Sequence, residues 1–298
     1  MHFSDLTFRV ADEAFRISSS SIGDLRPLLP SYAPFFVKEE NITGIFSLNT
    51  ELVEKLPEIK GEELGQFDCG GINHGVYRLE GGGYTIVISN IKGIPVCEMV
   101  TSADFSHCEV SLVGKREDAS FGLNNAIMIA FAFSAAYHNI LLFHSSVTVN
   151  DGLGFMFLGK SGTGKSTHSS LWIKNMEGSE LLNDDNPAVK LSDDGSSAIV
   201  YGTPWSGKTP CYRNLSFPVG AIVRLEQYPD NIIKKEVPLK AFASLLSSCS
   251  TMIWDKPSYN AILNNINGLV KVIPVFHLKC RPDRQAAELC YDNVFPNR

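Results

Sequence analysis

The run Gly159-Lys160-Ser161-Gly162-Thr163-Gly164-Lys165-Ser166 reads G-x-x-x-x-G-K-[ST] at every specified position, directly after the apolar stretch Gly154-Phe155-Met156-Phe157-Leu158. A strand, a glycine-rich turn and a helix are expected in that order. The residue types suit one chemistry: glycines let successive backbone N–H groups turn toward phosphates, a lysine reaches β/γ oxygens, and a hydroxyl holds Mg²⁺. The helix opened by the turn adds its positive end. At average residue usage a chain of this length matches the pattern by accident roughly one time in a hundred. A bare glycine turn is therefore the weaker reading, and the motif points to a bound nucleoside triphosphate.

The approach to this loop narrows the topology. Residues 140–149 are apolar enough for a strand and reach the loop strand through Asn150-Asp151-Gly152. Asp-Gly between apolar runs signals a tight hairpin. Most loops of this kind are fed by a parallel strand of a βαβ unit, whereas here an antiparallel partner comes first. Upstream, to about residue 115, the pattern is short β-like runs: residues 75–79 and 84–88 flank Gly81-Gly82-Gly83 as a hairpin, and residues 108–113 alternate like a strand with one wet face. Asp68, His74 and His107 in this half read as surface or turn groups. The most apolar segment, residues 123–143, reads as a buried helix that ends near His138-Asn139, because its longest unbroken apolar run, 126–133, falls far short of the roughly 18 residues of a membrane span.

Composition excludes several classes. The 298 residues are 44% hydrophobic with a net charge of −6, so the chain has material for two cores and no basic field for nucleic acid or an anionic membrane. Seven widely spaced cysteines without a C-x-x-C spacing suggest reduced thiols, a cytoplasmic location and no structural zinc. The first residues lack the basic start and apolar stretch of a signal peptide.

Beyond the helix, which should stop near Gly178, comes Leu181-Leu182-Asn183-Asp184-Asp185. Two carboxylates at a strand end suit a hard cation such as Mg²⁺, and a spare one accepts the proton of an attacking hydroxyl. His144 lies within the strand before the hairpin. A lone histidine among apolar residues is more often a hydrogen-bonded core group than a catalyst.

Together, His144-Ser145-Ser146, the loop from Gly159 to Thr167 and the Asp184-Asp185 pair resemble the catalytic core of HPr kinase/phosphorylase and ATP-dependent phosphoenolpyruvate carboxykinase, over roughly residues 120–298. The resemblance implies phosphate binding by Gly159, Lys160, Ser161, Gly162, Thr163, Gly164, Lys165, Ser166 and Thr167, and metal binding by Ser166, Asp184 and Asp185. It also implies base and metal roles for the aspartates beside His144. Arg213, in Cys211-Tyr212-Arg213-Asn214-Leu215-Ser216-Phe217-Pro218, resembles with one inserted residue a carboxykinase arginine that would neutralise charge on a transferred phosphoryl. Its bland alternative is a surface salt bridge. The carboxykinases place a metal-site lysine upstream of the histidine, yet no lysine occurs between Lys115 and Gly159, and the acidic strand of HPr kinases is replaced by Val200-Tyr201-Gly202-Thr203-Pro204-Trp205-Ser206-Gly207-Lys208. The sequence thus looks more like the small HPr-kinase-related kinases. The segment 203–208 is either a hydrophobic plug around Trp205 or a flap bringing Lys208 to phosphate.

The expected fold is α/β, with an N-terminal mainly β domain over residues 1–117 and a P-loop kinase core of the HPr kinase/phosphoenolpyruvate carboxykinase type over 118–298. The expected function is transfer of the γ-phosphoryl of ATP, with Mg²⁺, to a hydroxyl acceptor that the first domain helps to choose, with self-association open. The alternatives are a carboxykinase-like metabolic enzyme and a binding protein that holds ATP without transferring phosphate.

Overall fold

A computed structural model describes residues 4–38, 43–68, 73–207 and 209–295. The chain forms a mixed α/β structure with two large sheets in two compact units, Met1–Ala135 and Ala136–Arg298.

In the first unit, alternating sequences produce β1 (Asp5–Val10), β2 (Glu13–Ser19), β3 (Phe36–Val37), β4 (Phe46–Leu52), β5 (Glu62–Asp68), β6 (Asn73–Arg78), β7 (Tyr84–Ser89), β8 (Pro95–Thr101) and β9 (His107–Leu112). They form one sheet in the order β3-β1-β2-β4-β9-β8-β7-β6-β5, in which β4 runs parallel to both β2 and β9. The expected hairpin around the three glycines is β6–β7, closed by Leu79 N–H to Gly83 O at 3.1 Å. His74 departs from expectation. It is fully buried in β6, where Nδ1 accepts from Ser89 N–H at 3.4 Å. Of the other two residues, His107 is exposed at the start of β9 and Asp68 ends β5.

The apolar segment forms α1 (Arg116–Ser134), which packs on β4, β7, β8 and β9. Phe131 meets Phe15 at 5.9 Å and Phe133 meets Phe105 at 5.1 Å between ring centroids. This helix belongs to the first unit, so the boundary falls after Ala135 and not after residue 117 as the sequence pattern suggests. The pattern misleads because the helix is apolar nearly all round, leaving no stripe to indicate which sheet it covers. By length and composition alone Arg116–His138 would suffice to cross a membrane, yet 72% of its most apolar 18 residues are buried within the protein.

The second unit contains β10 (Ile140–Leu142), β11 (Ser145–Asn150), β12 (Leu153–Leu158), α2 (Lys165–Asn175), β13 (Glu180–Asp185), β14 (Ala188–Leu191), β15 (Ala198–Tyr201), β16 (Ser216–Gln227), β17 (Ile232–Lys235), α3 (Pro238–Leu246), α4 (Lys256–Val272), β18 (Val275–Cys280) and α5 (Arg284–Val294). The sheet order is β10-β14-β15-β16-β12-β11-β13, and β18 pairs with both β16 and β17. β11 and β12 form the expected hairpin, with Asp151 and Gly152 both in the left-handed region. The single strand expected over 140–149 is instead two. β10 pairs with β14 and β11 with β12 and β13, and the chain changes partners at Phe143 and His144.

β16 and β18 run parallel to β12, and β13 shares their direction because it is antiparallel to β11. The carboxyl ends of β12, β13, β16 and β18 and the start of β11 therefore meet at one edge of the sheet. Open α/β sheets bind ligands outside such ends. On one face α2 and α5 bury an aromatic core around Trp172, which lies 5.1 Å from Phe155, 5.3 Å from Phe157 and 5.3 Å from Tyr291. Truncating a tryptophan so placed costs about 3–5 kcal/mol, so this core fixes α2 and the loop that precedes it.

The six described cysteines carry free thiols, and Cys69 lies outside the described residues. Burial pushes Cys97, Cys108, Cys249 and Cys290 far above the ordinary thiol range and Cys280 up to about 11, which keeps all five protonated at neutral pH.

Gly122 provides a test of the α1 packing. A Cβ there would lie 2.7 Å from the Cβ of Cys97 and 3.3 Å from a methyl of Leu112. Gly→Ala in a helix interior ordinarily stabilises by about 0.5–1 kcal/mol; at this position overpacking, worth about 1–3 kcal/mol, should reverse the sign. Gly122→Ala is expected to lower Tm in calorimetry, and a raised Tm would show the helix standing off the sheet.

Candidate functional site

The loop between β12 and α2 has the form that its glycines allow. Gly162 and Gly164 take φ of +81° and +103°, a region that favours glycine, and Gly164 caps α2. The loop carbonyls are engaged: Lys160 O accepts from Thr163 Oγ1 at 2.7 Å, and Gly162 O accepts from Gln227 Nε2 at 3.1 Å. Gln227 ends the neighbouring strand β16, so the sheet itself holds the loop. Lys160, Ser161, Gly162, Ser166 and Thr167 are exposed.

Lys165, the first residue of α2, is 9% exposed and turns back toward the strand ends. Its Nζ donates to Gly159 O at 2.9 Å and lies 2.8 Å from His144 Nε2. Nδ1 of the same ring lies 2.9 Å from Asp185 Oδ1. Because Lys165 is a donor here, Nε2 must accept and the ring proton sits on Nδ1, facing Asp185. The result is a continuous chain from the loop carbonyl through lysine and imidazole to carboxylate. Burial lowers the Lys165 pKa from the usual lysine value, opposed first by the charge of Asp185 and then by that of Asp184.

The fold explains why these groups converge. Ser145 pairs with Asp185 and Ser146 with Asp184, so His144, one residue earlier, lies beside the end of β13. His144 N–H donates to Ser248 O at 2.7 Å, anchoring the break between β10 and β11. The side chains of His144 and Asp185 are 43% and 31% exposed. At that exposure even a fully charged pair contributes only about 0–1 kcal/mol, so this hydrogen bond is weak enough for a ligand to exchange.

Asp184 differs from its neighbour. It is 5% exposed and its Oδ2 makes no hydrogen bond. Leaving a buried polar atom unpaired costs about 1–3 kcal/mol, more for a charged group, which marks this oxygen as fit for a cation. Among the described residues no group of three or more His, Cys, Asp or Glu side chains is placed to hold a metal. A metal at Asp184 would draw its remaining ligands from hydroxyl, water or phosphate oxygens, as Mg²⁺ does.

The segment 203–207 is a plug over the end of β13. Trp205 and Thr203 are buried, and the buried Asn183 amide donates to Thr203 Oγ1 and Trp205 O, each at 3.1 Å. Asn183 Oδ1 accepts from Asp185 N–H at 3.0 Å, and Gly207 N–H donates to Asp184 O at 2.9 Å. Lys208 lies outside the described residues. Asn183 thus holds the main chain under both aspartates. Its only sequence signal is a polar residue at the end of an apolar strand.

Arg213 does not join this cluster. It donates to Leu181 O and Glu180 Oε2, each at 2.8 Å, at the opposite end of β13. Leu181 stands four strand steps from Asp185, about 13 Å along the backbone. The insertion that separates this stretch from the carboxykinase pattern leaves its arginine in an ordinary ion pair. The arginine beside the loop is Arg224, whose backbone pairs with Leu158.

No protein-family profile and no curated protein sequence matches this chain. Among solved structures, the Hpr(Ser) kinase/phosphatase from Coxiella burnetii aligns at 15% identity with a TM-score of 0.31, over 51% of this chain and 87% of that protein.

The hydrogen-bond chain fixes a tautomer. In long-range ¹H–¹⁵N spectra of the ligand-free protein near neutral pH, His144 is expected as the Nδ1–H form with Nε2 unprotonated. A spectrum of the Nε2–H tautomer would contradict the contact with Lys165.

Proposed function

We propose that this protein is an ATP- and Mg²⁺-dependent phosphotransferase that moves the γ-phosphoryl group to a hydroxyl acceptor: a protein serine, a peptide or a small metabolite. One observation carries the reading: Lys165, at the end of a complete glycine-loop motif, is linked through His144 to Asp185. In this reading the lysine serves phosphates, the carboxylate serves an acceptor, and one imidazole ring stands between them.

In this reading the loop N–H groups and the start of α2 receive the phosphates, and the Lys165 ammonium exchanges His144 Nε2 for phosphate oxygen. Asp184, with its unpaired buried oxygen, and the Ser166 hydroxyl would hold Mg²⁺, with Asp185 as the further carboxylate at hand. When bound, the metal supplies charge neutralisation on the phosphate oxygens. Asp185 is the base. It accepts the acceptor hydroxyl proton while His144 Nδ1–H steadies the carboxylate, and the plug 203–207 keeps β13 in place beneath it. Phosphoryl transfer needs little covalent chemistry from a protein, so positioning and charge account for most of the expected rate. We assign choice of acceptor to the first unit; surface substitutions there should change which acceptor is labelled while MgATP affinity stays constant.

The principal test pairs calorimetry with transfer from γ-labelled ATP into fractionated lysate. Lys165→Ala should abolish measurable MgATP binding without loss of Tm, and unchanged affinity would refute the phosphate assignment. Asp185→Asn should reduce transfer by about 10²–10⁴-fold, the usual worth of a general base, with MgATP binding retained. Asp184→Asn should abolish transfer and also weaken the Mg²⁺ dependence of binding. Wild-type turnover in both aspartate variants would make the pair a surface turn and leave the kinase reading without its base.

A further inference from the structure

The helix α3 (Pro238–Leu246) is apolar on two faces. Ala241, Ser244 and Leu245 turn inward and are buried. On the opposite side Leu239, Phe242, Ala243 and Leu246 stand at i, i+3, i+4 and i+7, the spacing of a second helical stripe. Nothing in the protein covers this stripe fully: Leu239 is 80% exposed, Ala243 is exposed, and Phe242 and Leu246 are half-buried. Val237, which precedes the helix, is 59% exposed. A single exposed leucine is ordinary on a protein surface. A row of apolar residues at helical spacing marks a contact surface.

The charges around the stripe have one sign. From the start of β17 to the start of α4, residues 232–256, the exposed charged side chains are Lys234, Lys235, Lys240 and Lys256. The two acids of that stretch turn inward: Glu236 is half-buried and accepts from Ser244 Oγ at 2.8 Å, and Asp255 is 7% exposed. The Glu236 contact also holds the end of β17 against α3, so the strand lysines border the helix. A chain with a net charge of −6 thus carries a local cationic rim around an apolar row. We propose that this face docks a partner protein through an amphipathic helix whose apolar stripe is flanked by Asp and Glu.

Neither a second copy nor a bilayer fits this face as well. Two α3 stripes laid together would oppose their lysines, and like charges across a contact weaken association. An interfacial helix sinks its apolar face about 5–10 Å into lipid, whereas Phe242 and Leu246 are recessed behind the projecting Leu239. A recessed row instead receives the side-chain ridge of another helix. The face is also tied to the candidate site. Two residues beyond α3, Ser248 O accepts from His144 N–H at 2.7 Å, and Ser250 N–H donates to Leu142 O at 3.0 Å. A partner seated on α3 therefore stands beside the histidine anchor without occupying the site.

The test uses two fluorescent peptides on the full chain, both stapled because helices of about 15 residues are marginal in water. Each carries leucine at helical spacing; one has glutamate on its flanks and the other lysine. Fluorescence anisotropy is expected to show the glutamate peptide binding roughly tenfold more tightly or better, and a Lys234→Glu, Lys235→Glu, Lys240→Glu triple variant should reverse that preference. Leu239→Asp should weaken the glutamate peptide by about tenfold or more with Tm unchanged, since the leucine is exposed. Equal affinity for the two peptides, or binding of neither, overturns the proposal. So does a large fall in Tm for Leu239→Asp, which would mean that the leucine is packed within the protein. Binding to phosphatidylserine vesicles that Leu239→Asp abolishes and the glutamate peptide does not displace would assign the face to a membrane. Self-association in light scattering that Leu239→Asp abolishes would assign it to a second copy, and either result overturns the partner assigned here. No outcome depends on nucleotide, so this surface and the phosphate loop stand or fall separately.

Discussion

The pairing of β12 with an antiparallel strand on one side and a parallel strand on the other is the constraint from which the site follows. The tight reversal at Asp151 and Gly152 places the start of β11 beside the end of β12, so a residue before β11 and the loop after β12 share one edge. β13 then returns antiparallel to β11 and delivers its last two residues to the same edge. Three separate segments converge there without long connecting loops. A parallel neighbour in place of β11 would have carried His144 to the far edge of the sheet.

The electrostatics of the cluster are those of a site in waiting more than of a stabilising bridge. Exposed carboxylate and imidazole contribute little to folding, whereas the buried Lys165 and Asp184 are both unfavourable without a partner of opposite charge. Lys165 partly resolves this by donating to imidazole and a carbonyl, and Asp184 leaves one oxygen unpaired. The packing around Trp172 offsets such costs, with α2 clamped to the sheet by contacts that have no part in ligand binding.

Much of this was legible in the residues, and the exceptions have physical reasons. The glycine loop, the hairpin before it and the aspartates at a strand end were all written in local patterns whose geometry leaves few options. The domain boundary was not, because a helix apolar on every side does not reveal which sheet it joins. His144 read as strand interior because hydrophobicity cannot show a change of pairing partner within an apolar run. Arg213 drew attention through a motif with one residue too many, and a single insertion in an extended segment is enough to redirect a side chain. Arg224 and Gln227 lacked any signal of their own, and Asn183 had only that of a polar residue at the end of an apolar strand, since their importance lies in which strands become neighbours.

Asn183 has an implication for how such a chain diverges. Its amide holds the 203–205 segment largely through main-chain oxygens, with only the Thr203 hydroxyl as a side-chain partner, and Gly207 is fixed to Asp184 through backbone atoms alone. Packing adds a demand on the side chains themselves: Thr203, Pro204 and Trp205 are buried, and a Cβ at Gly207 would lie 2.7 Å from Asp184 O. Homologous proteins that keep this geometry are therefore expected to keep a buried residue where Trp205 stands and a glycine where Gly207 stands, so that kinship at this place is read from both the backbone course and a short run of letters.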